Sequence, residues 1–325
     1  MYLKLLADES LDSFCSRNFV YGQNWRNTDF FRKLGFDQKW RWSKKKIVAL
    51  AVELGLRPKF GFNYLLHYHT NYFRSAFFVR DIKCSPYGAS GSLLMESAGS
   101  LIVKICPACI DEAYSRLGFI YWKRNHQSFD IDVCSRHNLR LVNRCSGCYK
   151  VFTLNRHFWE APWSSCDCGY SVLDSVSEKN QDDAALSLSK FVDDLYGCQY
   201  QLEVDDVKFL VRSKLKALGF SNKAEIYLEY RKTMSELQAR VLAENAYASL
   251  IGGKVYVWGL PYVLAALFVD FNDFASAASE ADVSSRNLYT AWDSSFVFAA
   301  EEPKAASFYT SRKGFCNYTP IQEPL

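Results

Sequence analysis

The chain has 325 residues, enough for two domains or for one large core with an appendage. Apolar residues make up 49% and aromatics 16%, which excludes a disordered polymer and suits a packed protein with broad contact surfaces. The net charge of +4 conceals an asymmetry: residues 1–175 carry 24 basic and 15 acidic side chains, giving +9, and the remainder 15 and 20, giving −5. Only the first half therefore has the sign to meet nucleic acid or an acidic protein face, unless its charges are simply solvated.

No stretch predicts a membrane span. The longest apolar run, Val255 to Val269, holds 15 residues and is interrupted by Gly259 and Pro261, whereas a span needs roughly 18–20. Asp8 and Glu9 interrupt the N-terminus before a signal-peptide core could form. The sequence thus predicts a cytoplasmic protein with no membrane partner.

From the N-terminus, residues 8–60 predict short helices. Asp8 is a candidate cap for a helix whose Leu11, Phe14 and Cys15 share one face. Gly35 closes a segment containing Phe30, Phe31 and Leu34, and Ser43 caps KKKIVALAVELG, which ends at Gly55. Three short helices of this length resemble a helix-turn-helix unit. Lys39, Arg41, Lys44, Lys45 and Lys46 interleave with Trp40 and Trp42. That pattern fits stacking and phosphate contacts, and equally a core of tryptophans beneath solvated lysines. Residues 61–100 predict mixed structure. His67 and His69, with no nearby carboxylate or cysteine, read as packed residues rather than a metal pair. A polar stretch at 175–183 reads as a linker, followed by helical patterns at 184–197, 204–217, 222–252 and 261–269. A second helix-turn-helix candidate spans 271–292, with Phe274, Ala278, Asp282, Val283, Leu288 and Ala291 at core spacing; its acidic surroundings favour docking or core structure over DNA reading.

Seven of the eleven cysteines lie between 106 and 168. Cys106-Pro-Ala-Cys109 is followed by Cys134-Ser-Arg-His137, and Cys145-Ser-Gly-Cys148 by Cys166-Asp-Cys168. CxxC pairs in a cytosolic context favour metal over disulfides, and four soft or borderline donors suit tetrahedral zinc. Each set supplies four protein ligands, which predicts two closed structural zinc sites rather than a catalytic one with an open water position. Gly147 and Gly169 are candidates for the positive φ of such turns. His126 and His157 are candidate substitutes in the second site, where CxC departs from CxxC. Cys15, Cys84 and Cys198 read as buried thiols.

The stretch from Cys106 to Cys148 resembles the TniQ family. It carries Cys106, Pro107 and Cys109, the acidic Asp111 and Glu112, the Tyr121-Trp122 pair, His126, Cys134, His137, Leu141, Cys145 and Cys148. Asp8, Glu9, Ser10, Leu11 and Ser13 are similar to that family's DESLxS opening. The resemblance covers residues 1–170 with specific motifs. It implies a target-selection adaptor of a transposon, without catalytic residues. Such an adaptor binds protein subunits of a guide-RNA Cascade complex as a head-to-tail homodimer, with guide RNA or target DNA nearby. It recruits the AAA+ ATPase TnsC for RNA-guided DNA insertion. One alternative is a TnsD-like selector that reads attachment-site DNA directly; another is a zinc-ribbon transcription factor.

The expected fold class is mainly α-helical with a small zinc-knuckle and β module. The expected division is a helix-turn-helix-like unit at 1–60, a core with tandem zinc sites at 61–174, a helical C-terminal domain at 184–300 and an irregular tail at 301–325. No phosphate-binding loop, HExxH or GxSxG is present. The remaining enzyme reading is a zinc hydrolase with Glu112 or Asp111 as base.

Overall fold

The computed structural model describes residues 3–21, 42–70, 76–78, 102–128, 131–153, 165–198, 200–255 and 259–287. The described residues are mainly helical, with ten α-helices and three short strands. The chain forms two compact units, residues 1–72 with 85–189 and residues 73–84 with 190–325.

In the first unit, α1 (Leu11–Tyr21) is capped by Ser10, whose hydroxyl accepts the Ser13 N–H at 3.1 Å. Asp8, the expected cap, instead pairs with Lys123 at 2.6 Å. Leu11, Phe14 and Cys15 do share the buried face. Ser43 caps α2 (Lys44–Glu53) by accepting the Lys46 N–H, and Gly55 takes φ +74° beyond its end. A short turn leads into α3 (Pro58–His69), with proline in its first turn. This helix occupies part of the stretch expected to be mixed. Gly61 lets α3 touch its neighbour, because a Cβ there would sit 2.6 Å from Ala51 Cβ. Trp42 is buried and donates its indole N–H to Asp12 at 2.8 Å, so it belongs to the core. Phe30, Phe31, Leu34, Gly35, Lys39, Trp40 and Arg41 lie outside the described residues, as does Cys84.

One hydrophobic core joins Phe14, Ile47, Leu50, Phe62, Leu65 and Trp122 with Val103, Ile105, Phe152 and Val172. The N-terminal segment is bonded onto the stretch after α4 (Pro107–Leu117). Ser10 N donates to the Trp122 carbonyl at 3.0 Å, and Arg124 N to the Asp8 carbonyl at 2.8 Å. The Ser13 hydroxyl accepts the Trp122 N–H at 2.9 Å and itself donates to Glu9 Oε1 at 2.8 Å. Arg17 holds both oxygens of the buried Glu9 carboxylate, at 2.9 and 2.7 Å. Burial pushes the Glu9 carboxyl up, against the pull of Arg17. At Asp8 burial works the same way, but Lys123 prevails and lowers it. His69 Nδ1 lies 2.8 Å from the Glu9 carbonyl. Burial holds His69 neutral, at about 4. His67 is buried edge-on to Tyr68, and its carbonyl accepts from Arg124. Both histidines are packed residues, as their isolation in the sequence suggests.

The division between the units falls within α5 (Asp183–Gly197), between Ser189 and Lys190. In the second unit, β2 (Tyr200–Glu203) is the middle strand of three. It pairs in parallel with β1 (Phe77–Phe78) and antiparallel with β3 (Ser285–Asn287). Glu203 caps α6 (Val204–Ala217) by accepting the Asp206 N–H at 2.8 Å. The expected long helix over 222–252 is two helices, α7 (Lys223–Tyr230) and α8 (Glu236–Ile251). Ser235 and Gln238 form a reciprocal capping box that starts the second afresh. They are followed by α9 (Leu260–Leu267) and α10 (Phe271–Glu280). Phe191, Val211, Leu242, Leu264, Phe271 and Phe274 lie in this unit's core. Phe274, Ala278 and Val283 are buried as expected for the 271–292 candidate, and Asp282 turns the chain at φ +51°. The residues after that turn form β3, not the start of a recognition helix. Leu288 and Ala291 lie outside the described residues.

Candidate metal centres

Two groups of four side chains bring one ligand atom each within 4.8 Å of one another: Cys106, Cys109, Cys134 and His137, and Cys145, Cys148, Cys166 and Cys168. These are the eight residues singled out by spacing, and each group could hold a metal ion. Metal–sulfur bonds of ~2.3 Å and metal–nitrogen bonds of ~2.0–2.1 Å give a tetrahedron with S···S edges of about 3.8 Å and S···N edges of about 3.5 Å. In the first group Cys109 and Cys134 Sγ are 3.7 Å apart. His137 Nδ1 lies 3.5, 3.3 and 3.6 Å from Cys106, Cys109 and Cys134. In the second, Cys145 lies 3.6 Å from Cys168, and Cys148 3.7 Å from Cys166. All six distances match tetrahedral edges, so both donor sets fit one ion each.

The first half-site is built on a helix end. Cys106 is the N-cap of α4, Pro107 follows in its first turn, and Cys109 lies one turn in. The other three half-sites are tight turns with one shared hydrogen-bond ring. In the turn at 134–139, Cys134 N donates to the Leu139 carbonyl at 2.8 Å and Asn138 N returns to the Cys134 carbonyl at 3.0 Å. In the turn at 145–150, Cys145 N donates to Lys150 O and Tyr149 N returns to Cys145 O, both at 2.9 Å. In the turn at 166–170, Cys166 N donates to Tyr170 O and Gly169 N returns to Cys166 O, both at 2.8 Å. The left-handed residue stands before the accepting carbonyl each time: Asn138 at φ +52°, Tyr149 at +62° and Gly169 at +84°. The CxC turn is thus the CxxC turn with one residue removed. Gly169 meets the expectation of a positive φ. Gly147 does not: the left-handed position there is Tyr149. Gly147 instead leaves room for Tyr170, whose Cβ would lie 3.1 Å from an added Cβ, and donates its N–H to Cys145 Sγ at 3.3 Å.

Antiparallel bridges Val133↔Arg140, Arg144↔Val151 and Ser165↔Ser171 flank the three turns, and Ile105↔Val142 ties the approach to Cys106 to the segment between the groups. Residues 175–183, expected as a free linker, are bonded to the first of these hairpins. Arg140 N donates to the Glu178 carbonyl at 3.0 Å, Leu139 bridges Lys179, and the Asn180 amide donates to Asn138 Oδ1 at 3.0 Å. The Ser189 hydroxyl reaches the Val133 carbonyl at 2.7 Å.

His137 turns Nδ1 toward the three sulfurs and Nε2 toward Glu112 Oε1, 3.0 Å away. Arg136 holds the other Glu112 oxygen at 3.1 Å. A carboxylate on the far ring nitrogen fixes the tautomer and raises the basicity of a metal-binding imidazole. Glu112 therefore acts through the ligand, and the sequence signal for it was its place three residues after Cys109, on the same helix face.

Within each group the thiols ionise unequally. Hydrogen bonds from Cys106 and Cys109 lower Cys134 strongly, while those with Cys106 and Cys134 raise Cys109. Burial opposes ionisation of Cys145, but the backbone N–H groups of Cys148 and Gly147 bring it down to about 7. An incoming cation displaces the protons that the thiols carry. His126 is buried and belongs to neither group; His157 lies outside the described residues. Cys15 and Cys198 are buried thiols, and burial raises both. No described helix is long and apolar enough to cross a membrane. No family model matches the chain, and no curated protein matches it.

Proposed function

We propose that the chain is a non-enzymatic, TniQ-like adaptor that selects target sites for a transposon, with one structural zinc ion in each cysteine cluster. It bridges a guide-RNA Cascade complex to the AAA+ regulator TnsC and works as a head-to-tail homodimer.

The observation that carries this reading is the bonding of the N-terminal segment onto the aromatic pair. Ser13 and Trp122 are 109 residues apart and joined by a hydrogen bond. They belong to the two stretches whose resemblance to the family is most specific. Their side chains go into a buried scaffold: the Glu9–Arg17 pair, the Ser13 hydroxyl and Trp122 all face inward. An adaptor needs such a preorganised frame and no reacting group. Each cluster offers four protein ligands, as a structural ion requires, and thiolate-rich sets are those that zinc favours. The α2–turn–α3 pair has the short glycine-bearing connection of a helix-turn-helix. Of the described α3 side chains only Pro58 is exposed, which suits packing better than base reading. That favours the adaptor over a direct DNA selector.

Co-purification with Cascade subunits and TnsC, run beside a gel-shift assay on candidate attachment-site DNA, tests the reading. Stable association with the Cascade subunits is the expected result. Tight, sequence-specific DNA binding by the isolated chain would overturn it in favour of the selector.

A further inference from the structure

The two clusters differ sharply in exposure. Cys106, Cys109 and Cys134 are all buried, and hydrophobic Leu139 and Leu141 pack against them. In the second cluster Cys148 and Cys168 are exposed, Cys166 is partly so, and only Cys145 is buried. The turns that carry them are exposed on both sides, from Ser146 to Lys150 and from Asp167 to Gly169. The ion pair from Lys150 to Asp167 across them, at 2.9 Å, is itself exposed and holds little.

A thiolate is the nucleophilic form of cysteine, and its oxidation is selected by thiolate character and access together. Four thiolates around one ion meet the first condition, and exposure of two of them meets the second. We propose that the second cluster is a peroxide-sensitive modification site, at which a hydroperoxide oxidises Cys148 or Cys168 and expels the metal ion while the first cluster keeps its own. This rests on the reading that both clusters hold zinc.

The chemistry balances within the cluster. The exposed thiolate sulfur attacks one peroxide oxygen; an S–O bond forms, the O–O bond breaks and hydroxide leaves. A neighbouring thiolate then attacks the resulting sulfenic acid; an S–S bond forms, the S–O bond breaks and a second hydroxide leaves. Two thiolates give up two electrons, the peroxide takes them, and two solvent protons complete two waters. The resolving sulfurs are in place: Cys166 is 3.7 Å from Cys148, and Cys145 is 3.6 Å from Cys168. Closing either gap to the ~2.05 Å of a disulfide brings the two sulfurs about 1.6 Å nearer. A disulfide sulfur carries no charge, so two of the four residues that would hold a zinc ion are lost as ligands and the remaining two would not retain it. At the first cluster the same attack requires local opening of the packed sulfurs.

The experiment uses the full chain loaded with zinc, its ion content measured first. Hydrogen peroxide is added, released zinc is followed with a chromogenic chelator, and samples are alkylated for peptide mass spectrometry. The expected result is one ion leaving at least about tenfold faster than the other, the ratio that a local opening of about 1.4 kcal/mol imposes on the buried cluster. The first disulfides link Cys148 to Cys166 or Cys168 to Cys145. Thiol reductant with added zinc restores the lost ion. Equal release rates, or first oxidation at Cys106, Cys109 or Cys134, would overturn the inference alone. A starting content below two ions per chain would overturn the zinc reading and the inference with it.

Discussion

Glu112 Oε1 lies 3.0 Å from the ring nitrogen of His137 that faces away from the first cluster. The carboxylate is held from its other side by Arg136, so the imidazole is presented to the three sulfurs in one tautomer and one orientation. Glu112→Ala removes that support. The expected outcome is a metal affinity at the first cluster lowered about 10- to 100-fold, read by competition with a chelator of known affinity. Glu112→Gln keeps an acceptor without the charge and falls between the two. An unchanged affinity in both variants would show that the contact does not act through His137.

Tyr149 occupies the left-handed region at φ +62° while its side chain is exposed. The strain of that conformation is about 1–2 kcal/mol for a side-chain-bearing residue, and glycine returns part of any gain as unfolded-state entropy. Tyr149→Gly is therefore neutral or stabilising. Gly61→Ala moves the other way, by about 1–3 kcal/mol of overpacking against Ala51. Thermal unfolding of the zinc-loaded chain measures both, and a loss of stability in Tyr149→Gly would contradict the strain account.

Breaking the buried Glu9–Arg17 pair from one side leaves an uncompensated charge. Glu9→Gln and Arg17→Met each lose about 3–5 kcal/mol, and the double variant loses less than the sum. A double-mutant cycle in denaturant reads this directly. Additive losses would mean that the two side chains are not coupled.

His69 gives the first unit an acid sensitivity of definite sign. Its folded value is about 4, held down by burial, against 6.5 when unfolded. Below 6.5 the unfolded chain takes up a proton that the folded chain refuses, so this contribution is present at neutral pH and lost as pH falls from about 6.5 to about 4. Its full size is about 3 kcal/mol. Acid also strips metal from thiolates, so the useful quantity is the stability difference between the wild type and His69→Gln, which cancels that shared loss. The difference narrows across this window; a difference independent of pH would refute the assignment.

The cluster residues were legible in the sequence because each half-site is local, a helix end at Cys106 and Cys109 and a tight turn at the other three, and short ligand spacing reports local geometry. Ser43 was legible as a cap for the same reason. Asp8 misled because Ser10, two residues on and next to the helix start, is the residue that accepts the Ser13 N–H. Asp8 is held instead by Lys123, 115 residues away. The helix at 58–69 was hidden because aromatic and leucine residues together stand on nearly every side of FGFNYLLHYH, leaving no apolar period to see. In the polar stretch 175–183, Glu178, Lys179 and Gln181 to Asp183 are exposed while Ser175 and Asn180 are buried; the backbone at 178–180 is bonded to the 138–140 segment, and composition does not report backbone partners. The break at 231–235 did have a local signal, the Ser235–Gln238 capping box, overshadowed by the helical propensity on both sides.

The ring common to the three turns counts hydrogen bonds, not residues. It closes from the first cysteine's N–H to the carbonyl just past the left-handed residue, with three residues enclosed between the cysteine and that position at Asn138 and Tyr149, and two at Gly169. Within this one chain, a turn one residue shorter thus closes the same ring beside its cysteines. An insertion of one residue between Asp167 and Cys168 would recreate the longer turn, not destroy the site.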